Sequence, residues 1–192
     1  MEGVYAVWVP EDVAGIPPID YRATSYTGLE PYRQPILAQG RVRYVGEPVA
    51  VVFAEDVYVA EDAANMVSVD IRERTVITDA SAAPSEFLED CGTEVTVVKK
   101  SYGDVEAAFA EAVHLVELDL RIGRHSGVPI ECRGGLARLN PDDGVLELYG
   151  ATKRPHPNRD LIAKTLGLDP SKVHLFEGNV GGGFGIRGEL YP

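Results

Sequence analysis

Hydrophobic and polar positions divide the chain into short, well-punctuated elements. Val4-Tyr5-Ala6-Val7-Trp8-Val9 is a strand-like run stopped by Pro10. A loop rich in Pro and Gly follows from Gly15 to about Gln39. Arg43-Tyr44-Val45 is cut by a Gly-Glu-Pro turn, and Val49-Ala50-Val51-Val52-Phe53-Ala54 is a continuous apolar run of the kind found in buried strands. Asp56 is placed to cap a helix through about Met66, with Ala60, Ala63, Ala64 and Val67 on one face. Val67 to Ile71 alternates again as a strand.

The pattern resumes beyond a stretch of Ala, Ser, Pro and acids between Asp79 and Glu94, which has the composition of a linker. A short helix is expected over Asp104 to Ala112, with acids in its first turn. His114, Val116, Leu118, Leu120 and Ile122 recur at period two, predicting a one-sided strand with His114 in the core. Leu136–Leu139 and Val145–Tyr149 flank Asn140-Pro141-Asp142-Asp143-Gly144, a hairpin loop. A helix is predicted from about Asn158 to Leu166, with Leu161, Ile162, Thr165 and Leu166 as its apolar stripe and Gly167 just past its end. The strand Lys172–Glu177 then leads into Val180-Gly181-Gly182-Gly183-Phe184-Gly185-Ile186-Arg187-Gly188.

The fold class is therefore α+β: a small α/β unit, then a mixed α/β unit. Residues 1–78 form the first, 79–94 link, and 95–192 form the second. With 30 acidic against 18 basic residues, the net charge of −12 argues against a nucleic-acid or anionic-membrane surface. No apolar run approaches the length of a membrane span, and Met1-Glu2-Gly3 does not open a signal peptide. Cys91 and Cys132 are too far apart in sequence for a CxxC pair, so a reducing cytoplasm is the expected compartment.

Chemistry concentrates at the glycine-rich segment. Glycines at 181, 182, 183, 185 and 188 expose a run of backbone N–H groups with little side chain in front of them. Such a loop at a strand exit can approach an oxo group or a phosphate closely. Gly183-Phe184-Gly185-Ile186-Arg187-Gly188 also fits G-x-G-x-x-G, but a dinucleotide site needs a helix and an acid further on, and the sequence ends at Pro192. His125 and His156 lack metal-ligand spacing with Cys132 or Glu131, and Ser126 has no nucleophile elbow, so neither a metal site nor a serine hydrolase is expected.

Three segments taken together carry a more specific reading. Ile130-Glu131-Cys132-Arg133-Gly134-Gly135-Leu136-Ala137, then Ala151-Thr152-Lys153-Arg154-Pro155-His156, then the VGGGFG loop resemble the molybdenum-binding large subunit of the xanthine dehydrogenase, aldehyde oxidase and carbon monoxide dehydrogenase family. Tyr44-Val45-Gly46-Glu47-Pro48-Val49-Ala50-Val51-Val52 and Ala60-Glu61-Asp62-Ala63-Ala64 resemble that family's a/b hammerhead domain. The resemblance covers nearly the whole chain. It implies a hammerhead domain followed by the first part of a molybdopterin-binding domain, with molybdenum-molybdopterin as cofactor.

By the same resemblance Gly181, Gly182, Gly183, Phe184 and Gly185 bind that cofactor, and Phe184 presents an aromatic surface beside the substrate. Where the family usually has a glutamine facing the metal's oxo ligand, this chain has Lys153, with three donors and a full charge. That lysine either holds an oxo group or a pterin phosphate, or alters the chemistry, or stands exposed without a site role. Glu131 and Arg133 would point to one side of a strand, and the resemblance makes them mainly structural, tying the hairpin to its neighbours by a charge-assisted pair, with Glu131 as general base the weaker alternative.

The implied activity is oxidative hydroxylation of an aldehyde, an N-heterocycle or a CO-type small substrate, with water as oxygen source. Electrons would pass to iron–sulfur and FAD subunits or domains. The family's glutamate base is expected outside this chain, so no catalytic residue is assigned here. The isolated chain, partnered by the rest of a large subunit or a split subunit, is expected to be inactive and to hold the cofactor only loosely. The alternative is a non-catalytic scaffold or interaction module whose glycine loop is structural.

Overall fold

A computed structural model describes residues 1–20, 26–89, 91–123 and 125–191. β1 (Val4–Trp8) pairs antiparallel with β2 (Val51–Ala54), and the Trp8 and Phe53 rings meet edge to face at 4.7 Å. The β2 run, read as buried, is half-exposed, because this sheet has two strands and is covered on one side by α1 (Val57–Asn65). The Asp56 carboxylate caps α1 by accepting from the Tyr58 and Val59 N–H groups, both at 2.9 Å. Ala63 turns inward as predicted, while Ala64 is exposed.

The loop after β1 is pinned by a bridge between Ile19 and Gln34 and by the Ala38 N–H bond to the Pro48 carbonyl at 2.8 Å. Val13, Ile19, Leu37, Ala38, Ala63 and Cys91 make the core of this half, with Leu37 only 1% exposed. Arg43–Val45 leads into a turn closed by the Glu47 N–H bond to the Tyr44 carbonyl at 3.3 Å. Arg43 curls back onto Glu47, whose carboxylate accepts from the Arg43 backbone N–H at 2.5 Å and from Nε at 2.8 Å. Val67–Ile71 is no strand. Among the described residues no neighbouring strand takes its backbone bonds, and Val69 and Ile71 are exposed.

Within 79–94 lies a small hairpin, β3 (Glu86–Leu88) with β4 (Cys91–Gly92), which composition alone did not reveal. The Tyr32 hydroxyl donates to the Gly92 carbonyl at 2.9 Å and ties the hairpin to the first half. α2 (Val105–Glu111) forms where a short helix is expected, and the Asp104 carboxylate caps it. The predicted strand 114–122 pairs with no strand among the described residues, and Val116 is 83%, Leu118 72%, Leu120 78% and Ile122 87% exposed. His114 is exposed and not in the core, because nothing among the described residues covers that face.

The second half centres on a three-stranded sheet. β5 (Leu136–Leu139) runs antiparallel to β6 (Leu146–Tyr149), and β6 runs parallel to β7 (Val173–Phe176). α3 (Pro155–Leu166) makes the crossover between β6 and β7, and it starts three residues before the predicted point because Pro155 suits the first helical position. Gly167 ends it at φ 66°, as its predicted place required. Val173 is fully buried, with Val145 and Ala163 beside it, and Tyr149 stacks on Phe176 at 4.7 Å across the strands.

Candidate functional site

Parallel pairing of β6 and β7 sends both chains out at the same edge of the sheet, where open α/β sheets hold ligands. After β6 the chain passes through Gly150, whose N–H donates to the Phe176 carbonyl at 3.1 Å, and Thr152, whose N–H donates to Glu177 Oε1 at 3.1 Å. Buried Asn158, in the first turn of α3, donates to Thr152 Oγ1 at 2.7 Å and holds this exit against the helix. Lys153 comes next, and its backbone N–H donates to the Arg187 carbonyl at 3.1 Å. The two sequence-distant segments 151–156 and 180–188 are thus brought together.

A third segment closes the site from the other side. Gly181 N–H donates to Glu131 Oε2 at 2.6 Å, and Glu131 N–H donates back to the Gly181 carbonyl at 3.3 Å. A Cβ on Gly181 would stand 2.5 Å from Glu131 Cβ, so only glycine permits this approach. Arg187, 8% exposed, donates through one terminal nitrogen to the Glu131 carbonyl at 2.5 Å and lies 3.7 Å from the Glu131 carboxylate. Arg187 Nε is buried without a hydrogen-bond partner among the described residues. Glu131 thus ties its segment to neighbours, Gly181 and Arg187, while Arg133 lies over the Tyr191 ring at 3.4 Å. The 129–133 segment also gives the loop neighbours from within the chain.

Gly182 has φ 106°, and a Cβ there would meet Phe184 Cε2 at 2.9 Å and Pro129 Cβ at 3.3 Å. Gly185 has φ 92° and opens a single tight turn over Ile186–Gly188. Between them Phe184 takes the left-handed region at φ 44°, which costs a non-glycine residue roughly 1–2 kcal/mol, and its ring is 75% exposed. Gly127 packs against the Phe184 Cβ, at 2.8 Å from where its own Cβ would be. Gly183 differs from its neighbours: its Cβ would find only Arg187 Cγ, at an ordinary 3.8 Å. The N–H groups of Gly182, Gly183, Phe184 and Gly185 have no hydrogen-bond partner among the described residues.

Four consecutive free N–H groups at a strand exit, an exposed lysine beside them and a Glu131 carboxylate compensated by Arg187 make a seat for an anionic group. This donor set fits the oxo and phosphate oxygens of molybdopterin. Of the residues the sequence assigned to the cofactor, Gly182, Gly183, Phe184, Gly185 and Lys153 lie together, whereas the Gly181 N–H is already taken by Glu131. Arg187 was missed, and its signal was the lone basic residue inside a glycine-rich run. His156 and His174 line an open groove of about 270 Å³ between α3 and β7, away from the loop. Among the described residues no three His, Cys, Asp or Glu side chains are grouped to hold a metal ion, both cysteines are free, and no helix is long and apolar enough to cross a membrane.

Residues 88–192 match the molybdopterin cofactor-binding domain family, and residues 1–75 match the a/b hammerhead domain of aldehyde oxidase and xanthine dehydrogenase. The chain is 39% identical to subunit gamma of the 6-hydroxypseudooxynicotine dehydrogenase complex of Paenarthrobacter nicotinovorans, over 87% of this chain and 21% of that protein. It is 34% identical to the nicotine 6-hydroxylase large subunit of the same organism, over 100% of this chain and 24% of that protein. Quinoline 2-oxidoreductase from Pseudomonas putida 86 superposes with a TM-score of 0.80 at 29% identity, over 100% of this chain and 25% of that one. The chain thus spans about a quarter of the length of the proteins it matches. It belongs to the molybdenum hydroxylase family of xanthine dehydrogenase, aldehyde oxidase and carbon monoxide dehydrogenase large subunits, whose cofactor is molybdenum-molybdopterin.

Proposed function

We propose that this chain forms one wall of the cofactor site in a large subunit that oxidatively hydroxylates an N-heterocycle. The observation that carries the reading is the set of free N–H groups from Gly182 to Gly185 beside Lys153. Nicotine and quinoline, named in two of the similar proteins, are N-heterocycles, which favours that class over aldehydes and CO. When bound, the molybdenum cofactor supplies two-electron oxidation: a substrate C–H becomes C–OH, the oxygen comes from water, and two electrons and two protons leave. This chain's residues hold the cofactor through backbone N–H groups, and Phe184 offers its exposed ring to a flat substrate.

The electrons would pass to iron–sulfur and FAD partners, and the base would come from outside these 192 residues. Similar proteins are named as subunits, which supports a partnered assembly over an isolated scaffold. The 192 residues alone are inactive in this reading. Molybdenum and pterin analysis of the assembly purified with its partners, followed by turnover of N-heterocycles, tests it. Stoichiometric molybdenum and heterocycle hydroxylation support the reading. A complete assembly without molybdenum or pterin overturns it.

A further inference from the structure

Of the N–H groups from Gly181 to Gly185, the first is held by the chain itself and the next four are free among the described residues. That division is made by Glu131. Its carboxylate takes the Gly181 N–H at 2.6 Å, its own N–H returns to the Gly181 carbonyl, and its carbonyl receives the buried Arg187 guanidinium. Arg187 in turn accepts the Lys153 N–H on its carbonyl and reaches toward the Cys132 carbonyl at 3.4 Å. Both ends of the glycine loop, 181 and 187, are therefore fixed to one residue, and the span between them is left to face outward.

We propose that Glu131 is a positioning residue for the cradle, clasping Gly181 and Arg187 so that the N–H groups of 182–185 are presented together to an anionic ligand. The proposal rests on the reading of that span as the cofactor's seat. A charge-assisted bond to a backbone N–H is shorter and stronger than a neutral one, which suits a clasp that must hold a flexible glycine segment. The charge is also balanced. A lone carboxylate beside an anion's seat would repel it, and the Arg187 guanidinium at 3.7 Å cancels that repulsion. Glu131 as a catalytic base is disfavoured, because its carboxylate is spent on Gly181 and Arg187.

The test compares Glu131→Ala and Glu131→Gln in the intact assembly, reading amide hydrogen exchange across 181–188 and molybdenum content per protein. In Glu131→Ala, exchange at Gly181 should rise about tenfold or more and cofactor affinity should fall about tenfold, the loss typical when a group that orients direct ligands is removed. Glu131→Gln keeps an acceptor oxygen for Gly181 and should lie closer to the parent in both readouts. Parental exchange and parental loading in Glu131→Ala would overturn the clasp. Lost molybdenum with unchanged exchange would also overturn it, making Glu131 a direct ligand. An assembly that carries no molybdenum would sink the cofactor reading alone, because the exchange comparison still reports on the clasp. Should Glu131→Ala fail to assemble, the same two readouts on Glu131→Gln and Arg187→Lys decide, with exchange expected above the parent's in both and parental values overturning the proposal.

Discussion

The Lys153 backbone N–H donates to the Arg187 carbonyl at 3.1 Å, so the lysine stands at the edge of the glycine loop with its side chain exposed. The Lys153 ammonium has no partner among the described residues. A free cation beside four free N–H groups strengthens the field felt by an anionic ligand or by charge that develops during reaction. In the complete assembly Lys153→Gln should retain the cofactor while kcat/KM or substrate preference shifts by about tenfold, roughly 1.4 kcal/mol. Stability should change by less than about 0.5 kcal/mol. Steady-state kinetics on several heterocycles, with a thermal melt, check both. Kinetics equal to the parent's on every substrate would leave Lys153 as an exposed lysine.

Glu47, in the turn before β2, is the buried acid of the first half, and Arg43 answers it with its backbone N–H and its guanidinium. Arg43 also reaches the Arg33 carbonyl at 3.2 Å, so the pair ties the long loop to the turn. Removing one partner strands the other charge in a partly dry site, at a cost of about 3–5 kcal/mol. Glu47→Ala should therefore destabilise residues 1–75 severely, whereas replacement of an exposed acid such as Glu61 should cost less than about 0.5 kcal/mol. Denaturant titration of both variants separates the two outcomes. Equal losses would show that the Glu47–Arg43 pair contributes nothing special.

Asp20 gives a pH dependence with a definite sign. The hydrogen bond from Lys164 lowers its pKa, burial opposes that, and the charges of Lys164 and Arg33 lower it further. A carboxyl held below its unfolded value of about 3.9 contributes stability above that value and loses it as pH falls through the folded value. The contribution is thus intact at pH 7 and declines as pH falls from about 4 through the lower folded value. Lys164 is largely exposed, so the pair is worth no more than about 1 kcal/mol. Asp20→Asn should lower the melting temperature at pH 7, and the deficit should shrink as pH falls below about 4. A deficit unchanged by that fall in pH would place the cause outside the ion pairs.

Much of this was legible because the signals were local. Asp56 before an alanine-rich face, Gly167 after Leu166, and Asn140–Gly144 between alternating runs each act through neighbours in sequence. The glycine segment and Lys153 were legible through resemblance, and the parallel β6–β7 pairing brings them together. What was not legible depends on partners far along the chain. The alternation of 114–122 says that one face wants cover, but not whether a neighbouring strand is present, and none is among the described residues. Spacing puts Glu131 and Arg133 on one face of a strand, yet residues 131–133 form no strand and Glu131 is claimed by Arg187, 56 positions away, a partner that spacing cannot reveal. The β3–β4 hairpin was hidden by its Ala, Ser and Pro surroundings.

Gly182 and Gly183 are adjacent and chemically identical, and the structure gives them opposite reasons for being glycine. At Gly182 a methyl group would strike the Phe184 ring and Pro129, and the backbone sits at φ 106°, a region that costs an alanine about 1 kcal/mol or more. Gly182→Ala should therefore rearrange the loop with or without a ligand. At Gly183 a methyl group meets nothing closer than Arg187 Cγ at 3.8 Å, so the chain itself tolerates it. Its only cost would be to a ligand lying against the loop. In the assembly Gly183→Ala should then lower molybdenum content and activity together, by about tenfold, while its unfolding curve without cofactor stays within about 0.5 kcal/mol of the parent. Gly182→Ala should lose both loading and loop order, seen as faster amide exchange over 181–188. If Gly183→Ala keeps parental molybdenum and turnover, no ligand rests on that backbone, and the run of free N–H groups is a turn and nothing more.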